Sequence, residues 1–181
     1  MTKARDLANA GTALTTVSAT ELGYLDGVTS AVQTQIDAKA ASTSPTLTTP
    51  VIISPEERMT VSATAATGTI NFDAATQGVL YYTSNASADW TLNVRANSGA
   101  TLNSVLATGD AITVAFLVTT GSTAYKHSAL TIDGSAQTVK WSGGTAPAAG
   151  NASAIDAYSF TIIKTASATF TVLGAGPIKY A

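Results

Sequence analysis

One histidine, eleven carboxylates and no cysteine are the side chains with which this chain could do acid–base, nucleophilic or metal chemistry. A metal site needs several convergent ligands. A nucleophile needs a base to activate it, and the base a third group to orient it. His127 lies alone in an alternating, strand-like run, so it reads as a structural or surface residue. Asp73, Asp89, Asp110, Asp133 and Asp156 fall at the ends of such runs, where a short carboxylate caps backbone amides and forms turns. Two of them converging in a cleft would be the arrangement for glycan cleavage. Gly143-Gly144 has neither the strand-to-helix context nor the following Lys-Ser or Lys-Thr of a phosphate loop. Without thiols there are no disulfides and no thiolate ligands. The reading is a non-enzymatic chain with no catalytic, cofactor or metal site.

The aromatic residues Tyr81, Tyr82, Trp90, Tyr125, Trp141, Tyr158 and Tyr180 could stack on sugar rings, but core packing is the simpler use for them. Tyr81 and Tyr82 are adjacent and must point to opposite faces of a strand. Trp141 borders a Gly, Ala and Pro-rich stretch at 142–154. Trp141 and Tyr82 are therefore the candidates for a glycan or surface contact.

Only one segment has a helical period. Ser18 and Glu21 have the spacing of a capping box, which predicts a short helix over 19–25. Asp26-Gly27 interrupts it, and a second helix is expected over 28–39. Leu22, Leu25, Thr29, Val32 and Ile36 form a stripe at spacings of three and four. Helices this short are marginal alone, so the stripe needs a partner. Either Leu22, Leu25, Val32 and Ile36 meet their copies in neighbouring chains, or the helices fold back on their own β-domain.

These readings divide the chain into a docking or flexible segment at 1–17, a helical stem at 18–40, a linker at 41–56 and a β-head at 57–181. Pro45, Pro50 and Pro55 space the linker as an extended strap, with an edge strand allowed over 48–53. In the head the period becomes two. Strands are expected over 58–63, 68–73, 78–83, 90–96, 111–119, 124–132, 137–141, 157–164 and 169–173. With no helix between them they read as an antiparallel β-sandwich, jelly-roll-like, of undetermined strand order. Asp133-Gly134 marks a hairpin, and 166–168 joins the last two strands. The loop at 97–109 contains Leu102, Val105 and Leu106 and should fold onto the head. Asn85-Ala86-Ser87-Ala88-Asp89 and Asn151-Ala152-Ser153-Ala154-Ile155-Asp156 echo each other as turns that feed a strand.

Only 11% of the 181 residues are charged, against about 25% in an ordinary soluble domain. A net charge of -2 without a basic cluster argues against nucleic acid and against an anionic membrane surface. The opening residues lack the apolar block of a signal peptide, and no run approaches the roughly 20 apolar residues of a membrane span. Synthesis in a cytoplasm is expected.

The run Glu21-Leu22-Gly23-Tyr24-Leu25-Asp26-Gly27-Val28-Thr29-Ser30-Ala31-Val32-Gln33-Thr34-Gln35-Ile36-Asp37-Ala38-Lys39 closely resembles a module of fibre and appendage proteins from tailed bacteriophages, particularly marine and cyanobacterial ones. The resemblance includes Lys3-Ala4-Arg5-Asp6-Leu7-Ala8-Asn9-Ala10-Gly11 and Ser44-Pro45-Thr46-Leu47. It continues through Ile70-Asn71-Phe72-Asp73, Tyr81-Tyr82-Thr83-Ser84-Asn85-Ala86, Trp141-Ser142-Gly143-Gly144-Thr145-Ala146-Pro147 and Ala157-Tyr158-Ser159-Phe160-Thr161-Ile162-Ile163-Lys164. It implies a virion component assembled in the host cytoplasm: a homotrimeric fibre, a head or tail appendage, or a capsid decoration. Its N-terminal segment would dock on other virion proteins. The alternative is a receptor-binding adhesin whose head recognises host-surface polysaccharide. The resemblance implies no cofactor.

Overall fold

A computed structural model describes Lys3, Ser18, Thr20, Gly23, Tyr24, Val51 and residues 53–181. The chain divides into two compact units, Met1–Ile53 and Ser54–Ala181. In the first, Thr20 and Gly23 are helical, and the Tyr24 amide donates to the Thr20 carbonyl at 3.2 Å. That is one helical turn where the sequence predicts the first stem helix. The remainder of the expected stem, including Leu22, Leu25, Val32 and Ile36, lies outside the described residues. Val51 and Ile53, the described part of the expected edge strand, are not in a strand. Ser54, just before Pro55, has φ of 50°, so the strap is not extended throughout.

The second unit is built from strands whose side chains alternate between faces. These are β1 (Met59–Ala65), β2 (Gly68–Asp73), β3 (Val79–Ser84), β4 (Trp90–Arg95), β5 (Ala111–Thr119), β6 (His127–Ile132), β7 (Ser135–Gln137), β8 (Val139–Trp141), β9 (Ile155–Ala166) and β10 (Thr169–Tyr180); a four-residue helix, α1 (Leu102–Val105), lies between β4 and β5. The strands form a six-stranded sheet, β1-β3-β5-β9-β10-β8, and a four-stranded sheet, β2-β4-β6-β7. The alternation is plainest in β9, where Asp156, Tyr158, Phe160, Ile162 and Lys164 are buried and the residues between them are half-buried.

From β1 to β6 the chain changes sheet at every strand, so each strand lies beside the one two earlier and parallel to it. The strand in the opposite sheet serves as the crossover that parallel pairing requires. Five of the eight pairings are parallel and three antiparallel. This corrects the expectation of antiparallel pairing throughout. Period-two patterning identifies a strand but carries no information about which neighbour it takes.

Both sheets contribute to one buried cluster. Ile70, Phe72, Trp90, Leu92, Val94, Leu130 and Ile132 come from the four-stranded sheet, and Leu80, Val114, Phe116, Val118, Tyr158, Phe160, Ile162 and Val172 from the six-stranded one. Trp90 of β4 packs on Phe116 and Tyr158 of the other sheet, with ring centroids 5.8 and 6.0 Å apart. Burial of each such aromatic is worth roughly 1.5 to 3 kcal/mol.

Local chemistry sets the turns. Asp133 and Gly134 have φ of 52° and 81°, the two positive angles of a tight hairpin turn, and they join β6 to β7 as predicted. Ser167-Ala168 joins β9 to β10, with Ala168 also at positive φ. The single strand expected over 137–141 is instead two. Gln137 ends β7 in one sheet, Val139 begins β8 in the other, and Thr138 crosses between them. β10 continues through Pro177 to Tyr180, with a bulge between Ala175 and Ile178. Its pairing to β8 ends at Gly174, so the missing Pro177 amide leaves no ladder bond unmade on that side.

Candidate functional site

The parallel register of β2, β4 and β6 aligns polar side chains across the outside of the four-stranded sheet. Asn71, Asn93 and Thr131 are consecutive partners, and Asp73 faces Arg95 one step along. Asn93 Nδ2 donates to Asn71 Oδ1 at 2.8 Å, and Thr131 Oγ1 and the Gly134 backbone amide donate to Asn93 Oδ1 at 2.8 and 2.9 Å. Arg95 Nε donates to Asp73 Oδ1 at 2.6 Å. The loop after β4 stands over this ladder and completes an open cleft of about 430 Å³, lined by Asn93, Arg95, Asn97, Ser98, Thr101 and Asp133 among others.

That loop is held at both ends of α1. Asp133 accepts from the Leu102 and Asn103 amides at 2.7 and 3.0 Å, while Thr101 caps the helix by accepting from the Ser104 amide. At the other end the buried Lys164 ammonium donates to the Asn103 and Leu106 carbonyls at 2.6 and 2.8 Å. Leu102 is buried and Leu106 packs against the core, as expected, whereas Val105 is 54% exposed.

A second concavity of about 210 Å³ lies where β6 and β8 approach, lined by Lys126, His127, Ser128, Gln137, Trp141 and Pro147 among others. His127 is buried, with its ring centroid 5.7 Å from Trp141, 5.9 Å from Tyr158 and 5.1 Å from Phe160. Burial lowers its pKa to about 4, against an opposing hydrogen bond with the Ala129 backbone, so the imidazole is neutral at neutral pH. The same apolar packing pushes the Tyr158 hydroxyl above its ordinary range. Lys126 Nζ donates to the Pro147 carbonyl at 3.1 Å, tying the 142–150 loop to this rim.

The two aromatic candidates are less available than expected. Trp141 is half-buried on an edge strand, with its ring set edge-on to His127 and Phe160. Tyr82 turns inward and packs on Phe116 at 5.6 Å. Tyr81 is the outward one, with its hydroxyl 3.3 Å from Thr119 Oγ1. The pair does straddle the strand, but the outward member is the other residue.

The aspartates hold the scaffold. Asp89 accepts from the Lys126 amide and Asp110 from the Ala107 amide, both at 2.9 Å. Asp156 is fully buried and accepts from both the amide and the side chain of Asn151 at 2.8 Å. With Asp73 on Arg95 and Asp133 on α1, all five described aspartates are engaged. The first Asn-to-Asp echo precedes β4, whereas the second runs into β9, which already begins at Ile155, and in each the terminal Asp ties down main chain. Gly150 is required beside Asp156, because a Cβ there would lie 2.2 Å from the Tyr125 carbonyl. Among the described residues no group of three or more His, Cys, Asp or Glu gathers as metal ligands do.

Comparisons with protein families, curated proteins and solved structures returned no match for this chain. Sequence reasoning missed Arg95 and the cleft around it. The signal was present in the likeness of Ile70-Asn71-Phe72-Asp73 to Leu92-Asn93-Val94-Arg95 and Leu130-Thr131-Ile132-Asp133, which is what stacked parallel strands look like in sequence.

Proposed function

We propose that this chain is a non-enzymatic structural component of a tailed-phage virion, in which Ser54–Ala181 forms a sandwich-like head that follows a helical stem in the sequence. In this reading it is a trimeric fibre, appendage or decoration protein, associated through Leu22, Leu25, Val32 and Ile36 and docked to other virion proteins by its first residues. One observation carries it: every described aspartate, and Lys164 with them, is bonded into the scaffold, so these groups tie strands and loops together instead of meeting at a reactive centre. The phage-appendage resemblance of 21–39 supplies the virion context. Mass spectrometry of gradient-purified particles tests this. Peptides of the chain should co-purify at constant stoichiometry to the major capsid protein. Their loss at the last purification step would contradict it.

A second reading, a head that binds host-surface polysaccharide, is favoured by the Arg95 cleft. The terminal guanidinium nitrogens of Arg95 and the side-chain nitrogen of Asn97 have no protein hydrogen-bond partner among the described residues, and planar amide and guanidinium groups suit sugar hydroxyls. Saturable binding of envelope polysaccharide that is lost in Arg95→Ala would support this reading, and retention of that binding in the variant would remove the cleft from consideration.

A further inference from the structure

In the Arg95 cleft most side-chain acceptors are engaged, and most of the free groups are donors. Asn93 Oδ1 takes two hydrogen bonds, from Thr131 Oγ1 and the Gly134 backbone amide. Asn97 Oδ1 accepts from the Gly99 amide at 2.8 Å, which orients that side chain and leaves Nδ2 as its free end. Thr101 Oγ1 accepts from the Ser104 amide at 3.1 Å and keeps its own hydrogen to give. Arg95 uses only Nε, on Asp73, so both terminal nitrogens carry two free hydrogens each. Ser98, also on the lining, can give or accept. The charged acceptor on the lining is Asp133: each of its oxygens accepts one α1 amide, at 2.7 and 3.0 Å, and has a second lone pair. Because the Arg95 guanidinium is offset by Asp73 at 2.6 Å, Asp133 is the one charge on the lining with no opposite charge bonded to it.

We propose that this cleft binds the acetamido group of an N-acetylated sugar. A carbonyl oxygen has two lone pairs and no hydrogen, so it meets a cluster of donors without leaving a hydrogen unpaired. Sugar hydroxyls bring one hydrogen per oxygen, and among these side chains they find mainly Asp133 and Ser98 to receive them. The acetamido N–H has its acceptor in Asp133. The same carboxylate opposes an acidic sugar, since like charges brought together cost affinity. The volume of about 430 Å³ lies within the roughly 300 to 1,000 Å³ of small-ligand sites. Asp133 and Lys164 hold the loop before any ligand arrives, so the donors need little ordering on binding. The inference rests on reading the head as a binder of host-surface polysaccharide, and it names the sugar chemistry that the cleft takes.

The test titrates the full chain with triacetylchitotriose, with cellotriose, which carries a hydroxyl at each acetamido position, and with trigalacturonate, followed by two-dimensional NMR of isotopically labelled protein. Triacetylchitotriose should shift the Arg95 Nε and Asn97 Nδ2 signals at millimolar concentration and bind about tenfold more tightly than cellotriose. Trigalacturonate should bind least. Asn97→Asp keeps an acceptor for the Gly99 amide, so the rest of the spectrum should be unchanged, but the free donors are gone. Triacetylchitotriose should then weaken about tenfold, whereas cellotriose, whose hydroxyls donate to the new carboxylate, should not. Arg95→Lys keeps a charge opposite Asp73, loses the planar donors, and should weaken triacetylchitotriose as well. Equal affinity for triacetylchitotriose and cellotriose overturns the proposal. So does a preference for trigalacturonate, the absence of shifts with all three, or shifts that leave Arg95 and Asn97 unmoved. Envelope polysaccharide bound through Arg95 without any N-acetyl preference would sink this inference alone. Triacetylchitotriose held in the cleft by a chain that ignores envelope polysaccharide would sink only the polysaccharide reading.

Discussion

Acid should destabilise this protein through His127, whose imidazole is buried neutral. The imidazole is 5% exposed, sits among Trp141, Tyr158 and Phe160, and has its pKa lowered to about 4 from 6.5. The folded state therefore binds its proton less readily than the unfolded state does. Stability from this group is complete above pH 6.5, falls as the pH drops toward 4, and falls no further below that. Linkage gives a loss of about 2 kcal/mol by pH 5 and about 3 kcal/mol by pH 4. Because carboxylates also titrate at the acid end, the measurement is a difference. Urea unfolding of the wild type and of His127→Phe, which keeps an aromatic ring but cannot titrate, is followed from pH 7.5 to 4.5. The gap between the two curves should change by about 2.5 kcal/mol toward acid, in favour of the variant. Parallel profiles would refute the claim that the imidazole is held neutral by its packing.

Phe116→Ala removes a fully buried ring that touches Trp90 and Tyr82, and thermal or urea unfolding should register a loss of about 3 to 5 kcal/mol. Asp133→Ala leaves two α1 amides without their acceptor and should destabilise by about 1 to 3 kcal/mol, with faster hydrogen exchange confined to the 97–110 loop and the β6–β7 turn. Gly150→Ala drives a methyl group into the Tyr125 carbonyl, so a clear drop in melting temperature is expected where an exposed Gly→Ala would be neutral. A chain beginning at Ser54, the boundary of the second unit, should unfold cooperatively with a strand-dominated circular dichroism spectrum.

Much of the head was legible because its strands announce themselves individually. Alternation in β5 and β9, the Asp133-Gly134 turn and the inward Leu102 follow from side-chain period and turn chemistry, which are local. What was not legible is non-local. That β1 pairs with β3 and β2 with β4 depends on the chain crossing to the opposite sheet after each strand, and only the Asn71, Asn93 and Thr131 echo hints at it. The split at Thr138 was hidden because both halves of 137–141 are β-like, and the change of sheet is decided by where the neighbouring strands end. The last strand, expected over 169–173, runs on through Pro177 to Tyr180, because the side no longer paired to β8 tolerates a proline. Trp141 and Tyr82 were named for their exposure, but alternation alone cannot say which face of a strand the core takes. The same ambiguity concealed that Tyr81, not Tyr82, is the outward member of its pair.

The central claim is that this chain is part of a particle, and labelling of intact particles tests it most directly. Gold-conjugated antibody against Ser54–Ala181, imaged on purified tailed-phage particles, should decorate one structural position on every particle. Unlabelled particles, with the chain left in the soluble fraction of the lysate, would contradict the account.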